Sequence, residues 1–317
     1  MTDQHDSVVL GIDIGGTKIA AGLVDGLGRV HQQTRRATPA QQGGDAVLRA
    51  VTDSALAVVA GSDLPVIGCG VATGGTVDES GRVTSATSLI RDWVGTAVAT
   101  RLADALGIPV RVHNDVHAAA LAEARLGAAR GAATAVVVCI GTGVGGAVVV
   151  DGEVSIGRTG TAGSIGHLPA PSASGRVCSC GARDHLEPHA SGHAIEQAFA
   201  DRAGHRLPLP EIASLARDGD QPAQHVISAA ATMTGRVLAG VANLVDPDVI
   251  VIGGGVAGLG ALLFDPIESA FRTETLAGPR RTVIRPAALG ADSALVGAAL
   301  AAPLPAPGRQ RPRAVPG

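Results

Sequence analysis

The stretch Gly11-Ile12-Asp13-Ile14-Gly15-Gly16-Thr17-Lys18 sets a strand-borne carboxylate beside two glycines, a hydroxyl and an ammonium. Val8 to Ile14 is β-rich, residues 15–18 form a turn, and Ile19 to Val24 is apolar again before Asp25-Gly26, so a hairpin is expected. Exposed glycine N–H groups beside such side chains are the parts that phosphate and its metal need. A plain hairpin turn is the other reading. The stretch is not a Walker A loop, because the four-residue gap between glycines and the following helix are absent. The same grammar returns later: Ala135 to Ile140 is apolar, Gly141-Thr142-Gly143-Val144-Gly145-Gly146 is the turn, and Ala147 to Val150 runs into Asp151-Gly152. Two such hairpins point to an internal duplication in which each half is built on its own sheet. A cleft between the halves is then the default ligand site.

Between the hairpins the pattern alternates helix and strand: Asp45 to Ala60, Val66 to Ala72, Gly95 to Leu106, Val110 to His113, then a helix from Asn114 to Leu126. This is an α/β pattern. Further helices are expected at Ala190–Arg202, Pro222–Leu244 and Ala261–Phe271, with strands at Val249–Ile252 and Thr282–Arg285 and a last helix that Asp292 would cap and that packs back on the first half. Gly253-Gly254-Gly255 ends one of those strands, as a third close-approach point or a simple strand-to-helix turn. Residues 303–317 are proline-rich and basic and are expected to be disordered.

Composition narrows the function. The chain has 317 residues, 46% of them hydrophobic, with 25 basic against 28 acidic side chains, so it is long enough for two domains and carries no excess of positive charge for nucleic acid. The aromatics are Trp93, Phe199, Phe264 and Phe271, too few for a base-stacking platform. Lys18 is the single lysine, and it falls in the glycine-rich turn. No apolar run reaches the roughly 18 residues of a membrane span, and the opening MTDQHDS lacks a signal-peptide pattern, so the expectation is a cytoplasmic protein with no membrane partner. Cys69, Cys139, Cys178 and Cys180 are not a disulfide framework for a chain of this size.

Two clusters carry further chemistry. His113-Asn114-Asp115 ends a strand and opens a helix, which places Asp115 in the first helical turn; it is either a cap or a carboxylate able to take a proton from an attacking hydroxyl. Cys178, Cys180, His185 and His167 offer two thiols and two imidazoles, the donor set of a structural zinc. A solvated loop is the other reading of the histidines. His185, Glu187, His189 and His193 are not a zinc-protease motif, because the glutamate is misplaced and Pro188 interrupts the helix.

The hairpin at 13–18, Asn114-Asp115 with Ala118-Ala119-Ala120-Leu121-Ala122-Glu123, the loop at 141–146 and the cluster from 167 to 187 together resemble the ROK family of sugar kinases and repressors. The motifs run in order from about residue 8 to 300. The resemblance implies an α/β, duplicated actin-like (ribonuclease-H-like) ATPase fold, with ATP and a sugar in the cleft between two lobes. Residues 1–114 with 289–302 would form the N-terminal lobe and 115–288 the C-terminal lobe. It assigns Asp13, Gly15, Gly16, Thr17 and Lys18 to the first phosphate motif with Mg²⁺ and ATP, Gly141, Thr142 and Gly143 to the second, and Gly254 and Gly255 to the nucleotide side. Asn114 would bind sugar, Asp115 would be the catalytic base, and His167 and Glu187 match positions that contact sugar or, for the histidine, zinc. Family members commonly form dimers or tetramers, so a homodimer or homotetramer is expected.

Two departures from the family pattern stand out. Ser164 occupies the place where the family carries a sugar-binding glutamate, and a neutral hydroxyl does not make the same charge-assisted bonds. Asp184-His185 replaces a Gly-Cys pair, and imidazole can take the place of thiolate on zinc. The repressors' DNA-binding segment has no room before Val8, which leaves no expected nucleic-acid partner. The expected activity is ATP-dependent phosphorylation of a hexose hydroxyl, most often the one at carbon 6 in this family, with glucose as first candidate. The alternatives are an N-acylhexosamine kinase, a polyphosphate-using kinase and a non-catalytic sugar or nucleotide sensor.

Overall fold

The computed structural model describes residues 7–87, 89–172 and 174–304. Of the tail expected to be disordered, 303–317, all but the first two residues lie outside that range. The chain forms two units: one runs to Ala118 and resumes at Ala294, the other spans Ala119–Ser293.

In the first unit, β1 (Val8–Ile14) and β2 (Lys18–Val24) form the expected hairpin, and β3 (Val30–Ala37) extends it. Helix α1 (Gly44–Ala60) leads to β4 (Val66–Thr73); then come the ribbon β5 (Thr76–Val77) and β6 (Val83–Ser85), α2 (Val98–Leu106), β7 (Val110–Asn114) and α3 (Asp115–Leu126), which continues into the second unit. The sheet order is β3-β2-β1-β4-β7, with β1, β4 and β7 parallel. Alternation along β1 sends Leu10, Ile12 and Ile14 to one face, where they share a core with Val47, Leu48, Val51 and Val58 of α1, Leu102 of α2 and Trp93. Trp93 Nε1 donates to Thr73 Oγ1 at 3.1 Å, so the one buried indole N–H is satisfied.

The second unit repeats the plan. Strands β8 (Thr134–Ile140), β9 (Val144–Val150) and β10 (Glu153–Ser155) are followed by α4 (Glu187–Ala190), α5 (Gly192–Ala203), α6 (Leu209–Arg217), α7 (Gln221–Val245), β11 (Val249–Gly253), α8 (Ala261–Glu274) and β12 (Val283–Pro286). The order β10-β9-β8-β11-β12, with β8, β11 and β12 parallel, copies the first sheet strand for strand. The duplication inferred from two glycine-rich hairpins is thus present at the level of topology.

The last helix, α9 (Ser293–Leu300), returns to the first unit and lies on the sheet face opposite α1. Paired glycines make room for it: Gly11 is opposite Gly70 in the β1–β4 register, and a Cβ on them would stand 2.5 Å from the Leu295 carbonyl oxygen and 1.7 Å from that of Ala298. Backbone-to-backbone packing of this kind tolerates no side chain.

Several boundaries differ from those read in the sequence. The second turn is only 141–143, because Gly145 and Gly146 pair with Cys139 and Val138 as part of β9. Gly146 is needed there for closeness, since a Cβ would come within 2.6 Å of the Gly163 carbonyl. Helix α2 starts at Val98, not Gly95, whose φ of +89° is not helical. Asn114 is the last strand residue, not the first helical one. The helix expected from Ala190 is two: Ser191 interrupts it and its hydroxyl accepts from Ala194 N at 3.2 Å. Among the described residues no helix is long and apolar enough to cross a membrane.

Candidate active site

In the first unit the carboxyl ends of β1, β4 and β7 stand side by side, Ile14 opposite Thr73 and Thr73 opposite Asn114. The edge beyond parallel strand ends is where α/β sheets bind ligands. Asp13 precedes that edge, half-buried, between Ala20 of β2 and Ala72 of β4. The turn after it is closed by Gly15 N donating to the Lys18 carbonyl at 2.9 Å, and Thr38 braces it, its hydroxyl donating to the Gly15 carbonyl at 2.7 Å. Thr17 and Lys18 are exposed.

Asn114 and Asp115 cross from β7 into α3 at the same edge. Asn114 Oδ1 accepts from the N–H groups of Val116 (3.0 Å) and His117 (3.1 Å), which satisfies donors of the first helical turn, while its Nδ2 donates to the Gly75 carbonyl at 3.0 Å and to Asp115 Oδ1 at 3.1 Å. Asp115 Oδ1 also accepts from Val116 N at 2.9 Å. Its Oδ2 faces Gly74, where an added Cβ would sit 3.9 Å away with no other neighbour, so Gly74 leaves space before this oxygen, whereas Gly75 packs against Ser85 and Ala86. Burial pushes the Asp115 carboxyl above its ordinary 3.8, against the pull of the Val116 N–H, nearby His117 and Asn114. The cap and the proton acceptor are therefore divided between two residues: Asn114 takes most of the capping and Asp115 keeps one oxygen toward open space.

In the second unit the glycines also gather at strand ends. Gly141 N donates to the Gly143 carbonyl at 2.8 Å, and Gly192 N, at the start of α5, donates to the Gly141 carbonyl at 2.8 Å. Just past the end of the neighbouring strand β11, Gly254 has φ +85° and lies so near the end of β8 that a Cβ would fall 2.3 Å from the Ile140 carbonyl oxygen. Gly255 opens the short turn Gly255–Leu259. Gly141, Thr142, Gly143, Gly254 and Gly255 thus share one edge of the second sheet, a backbone cradle of the type that receives phosphate. Glu187, the first residue of α4, reaches this loop, with Oε2 accepting from Val144 N at 3.1 Å and Oε1 from Ser179 Oγ at 2.5 Å.

The four thiol and imidazole residues also converge. One donor atom from each of His167, Cys178, Cys180 and His185 lies within 4.8 Å of the others. Two of the separations, Cys178 Sγ to His167 Nδ1 at 3.4 Å and Cys180 Sγ to His185 Nδ1 at 3.3 Å, match the edge of about 3.5 Å of a zinc tetrahedron with bonds of about 2.3 Å to sulfur and 2.0–2.1 Å to nitrogen. The residues present therefore fit a structural zinc. Ser164, just before the turn Ile165–His167, donates its hydroxyl to the Thr161 carbonyl at 2.7 Å.

The sequence model of the ROK family matches residues 9–303. The chain belongs to the ROK family. A glucokinase of Thermotoga maritima is 30% identical over 310 residues, spanning 92% of this chain and 96% of that protein. An N-acetylmannosamine kinase of Salmonella typhi is 32% identical over 294 residues, spanning 92% and 97%. The crystal structure of a ROK family glucokinase from Streptomyces griseus in complex with glucose and AMPPNP aligns with a TM-score of 0.83 at 32% identity, covering 93% of this chain and 99% of that one. For this ROK chain the duplicated two-lobe ATPase fold follows from the paired sheets and from that neighbour together.

For two residues of the ROK chain that the sequence motifs contain, the structure adds an anchoring role. Glu123, 1% exposed, accepts from Ala128 N (2.7 Å), Ala288 N (3.1 Å) and Leu289 N (2.9 Å). A lone carboxylate on the alanine-rich face of α3 was the visible signal. Asp184 has φ +52°, a region that side chains other than glycine, asparagine and aspartate rarely occupy, and it gathers a loop around the candidate metal site. Its signal was the departure from the family's glycine at that position.

Proposed function

We propose that the protein is an ATP-dependent sugar kinase that transfers the γ-phosphoryl group of ATP to a hexose hydroxyl, the 6-hydroxyl of glucose or a related hexose. The observation that carries this reading is Asp115: a carboxylate of raised pKa at the carboxyl end of a parallel sheet, with one oxygen bonded by Val116 and Asn114 and the other facing the space at Gly74. Oδ2 takes the hydroxyl proton as the oxygen attacks phosphorus, and the Asn114 amide holds the carboxylate in place. In the first unit Asp13 and the 15–18 turn serve the phosphates, and Asp13 would hold Mg²⁺, which supplies positive charge against the phosphoryl oxygens. In the second unit the 141–143 and 254–255 glycines serve the nucleotide. His167, Glu187 and Ser164 serve the sugar.

Cys178, Cys180, His167 and His185 would hold a zinc whose contribution is structural, because the protein fills all four positions. It would fix the loop that carries His167 and precedes Glu187.

Ser164 favours a second acceptor class. A hydroxyl already donating to the Thr161 carbonyl can only accept from the sugar, and the N–H of an N-acylated hexosamine can donate to it. The test is ADP release from Mg-ATP across hexoses and N-acetylhexosamines with a no-sugar blank. Sugar-dependent release establishes the kinase and ranks its acceptors. Release with none of them, from folded protein, moves the reading to a sensor that binds without turnover.

A further inference from the structure

Helix α4 is a single turn, Glu187 to Ala190. One turn is too short to hold itself, so its orientation must come from outside ties. Glu187 is tied through both oxygens, to Val144 N and Ser179 Oγ. The Pro188 carbonyl accepts from Arg176 Nη1 at 3.2 Å. His189 Nε2 donates to Asp184 Oδ1 at 3.2 Å, and this pair is largely enclosed, with 7% of the histidine and 17% of the aspartate side chain exposed.

The Pro188 and His189 ties trace to one carboxylate. Asp184 Oδ1 also accepts from Ser174 Oγ (2.8 Å) and Arg176 N (3.2 Å), and Oδ2 accepts from Gly175 N (2.9 Å). Asp184 therefore shapes the 174–176 loop, which in turn presents Arg176 to Pro188. Its own backbone is left-handed, which costs an aspartate what it would not cost a glycine. The carboxylate is the only gain over glycine at this position, and its bonds all lead to the loop and to α4.

We propose that Asp184 is a positioning residue for Glu187: acting through His189 and Arg176, it sets the angle of α4 and so the place of the Glu187 carboxylate against the sugar. This rests on the reading of Glu187 as a sugar contact. Asp184 lies outside the zinc donor set but beside His185, so zinc per chain is read alongside sugar affinity, and a sugar KM that rises only together with zinc loss would overturn the positioning role.

The experiment compares Asp184→Gly, Asp184→Asn and His189→Phe with the wild type, measuring KM for sugar, KM for ATP, kcat, zinc per chain and melting temperature. Glycine relieves the left-handed backbone while removing every side-chain bond, so Asp184→Gly is expected to stay folded. Its sugar KM should rise about 10–100-fold, as for other partners that orient a ligand-binding side chain, with KM for ATP and zinc content unchanged. Asparagine tolerates the same backbone and keeps one acceptor oxygen, so Asp184→Asn should recover part of the loss. His189→Phe keeps the ring volume, removes the donor and should raise sugar KM in the same sense. The Asp184→Gly/His189→Phe double variant should lose less than the product of the two single losses. An unchanged sugar KM in Asp184→Gly, or equal rises in both KM values, would overturn the positioning role while leaving the kinase reading intact. A wild type that turns over no sugar would overturn both.

Discussion

Replacing Gly70 by alanine tests how α9 is seated on the first sheet. The new Cβ would stand 1.7 Å from the Ala298 carbonyl oxygen and 2.3 Å from its carbon. Reaching an ordinary 3.4 Å contact requires a displacement of about 1.7 Å, obtained by subtracting 1.7 from 3.4. The obstacle is helix backbone, so α9 must lift as a body, and Leu295, Val296, Ala298 and Ala299, all 5% exposed or less, lose contact with the sheet. Overpacking typically costs about 1–3 kcal/mol, and a gap of even 0.5–1 Å forfeits roughly a quarter to a half of the dispersion energy of the contacts it opens, so about 3 kcal/mol is expected. In calorimetry that corresponds to a fall of roughly 6–12 °C in the melting of the first unit. Gly240→Ala is the matched control: Gly240 sits exposed in α7 with nothing within 4 Å of an added Cβ, so helix propensity alone should raise stability by about 0.5–1 kcal/mol. A Gly70→Ala protein that melts with the wild type would refute the close seating of α9.

The remaining predictions concern polar groups. Purified protein should carry one zinc per chain by elemental analysis, and Cys178→Ser with Cys180→Ser should abolish it, whereas His185→Cys should retain it; wild-type protein that binds no zinc even when refolded with it would defeat the tetrahedral assignment. Glu123→Ala leaves three backbone N–H groups without their acceptor, so its thermal stability should drop by about 3–5 kcal/mol. Asp115 has a folded pKa raised by burial, so the stability linked to its protonated form is present below the ordinary 3.8 and is lost as pH rises through the folded value. At neutral pH Asp115→Asn should therefore melt above the wild type, with the gap narrowing as pH falls toward 3.8, and wild-type kcat/KM should decline on acidification through that same raised pKa.

The parts of the fold that lie close in sequence were legible. Both hairpins announce themselves by apolar runs on either side of a glycine turn, and their repetition gives the duplication. Strand β3 did not, because Gln32, Gln33, Arg35 and Arg36 leave it without apolar alternation at the edge of its sheet. Helix α6 escaped notice behind Pro208 and Pro210, although Ile212, Ala213 and Ala216 give it a buried face. Gly145 and Gly146 have the composition of a turn but belong to β9, where the small size of Gly146 serves close packing against Gly163 and Ile165. The glycine pair Gly11 and Gly70 could not be read as a seat for α9, since the helix that needs the space is far along the chain. At the candidate site, residue types named Asn114, Asp115 and the thiol–imidazole group. The division of labour between Asn114 and Asp115 needed coordinates, because it depends on which oxygen each backbone N–H reaches. The role of Glu123 is invisible for a related reason, since its bonds go to backbone N–H groups that the sequence does not distinguish, and that of Asp184 because its partners, Ser174 Oγ, His189 Nε2 and the N–H groups of Gly175 and Arg176, are brought to it only by the loop's fold.

The central claim, that Asp115 is the base of a sugar kinase, is tested most directly by sugar-dependent ADP release from Asp115→Asn and wild-type protein at saturating Mg-ATP, with nucleotide binding measured in parallel. Turnover reduced by about 10²–10⁴-fold with nucleotide binding preserved is the predicted result. Wild-type turnover in the Asp115→Asn protein would contradict the account.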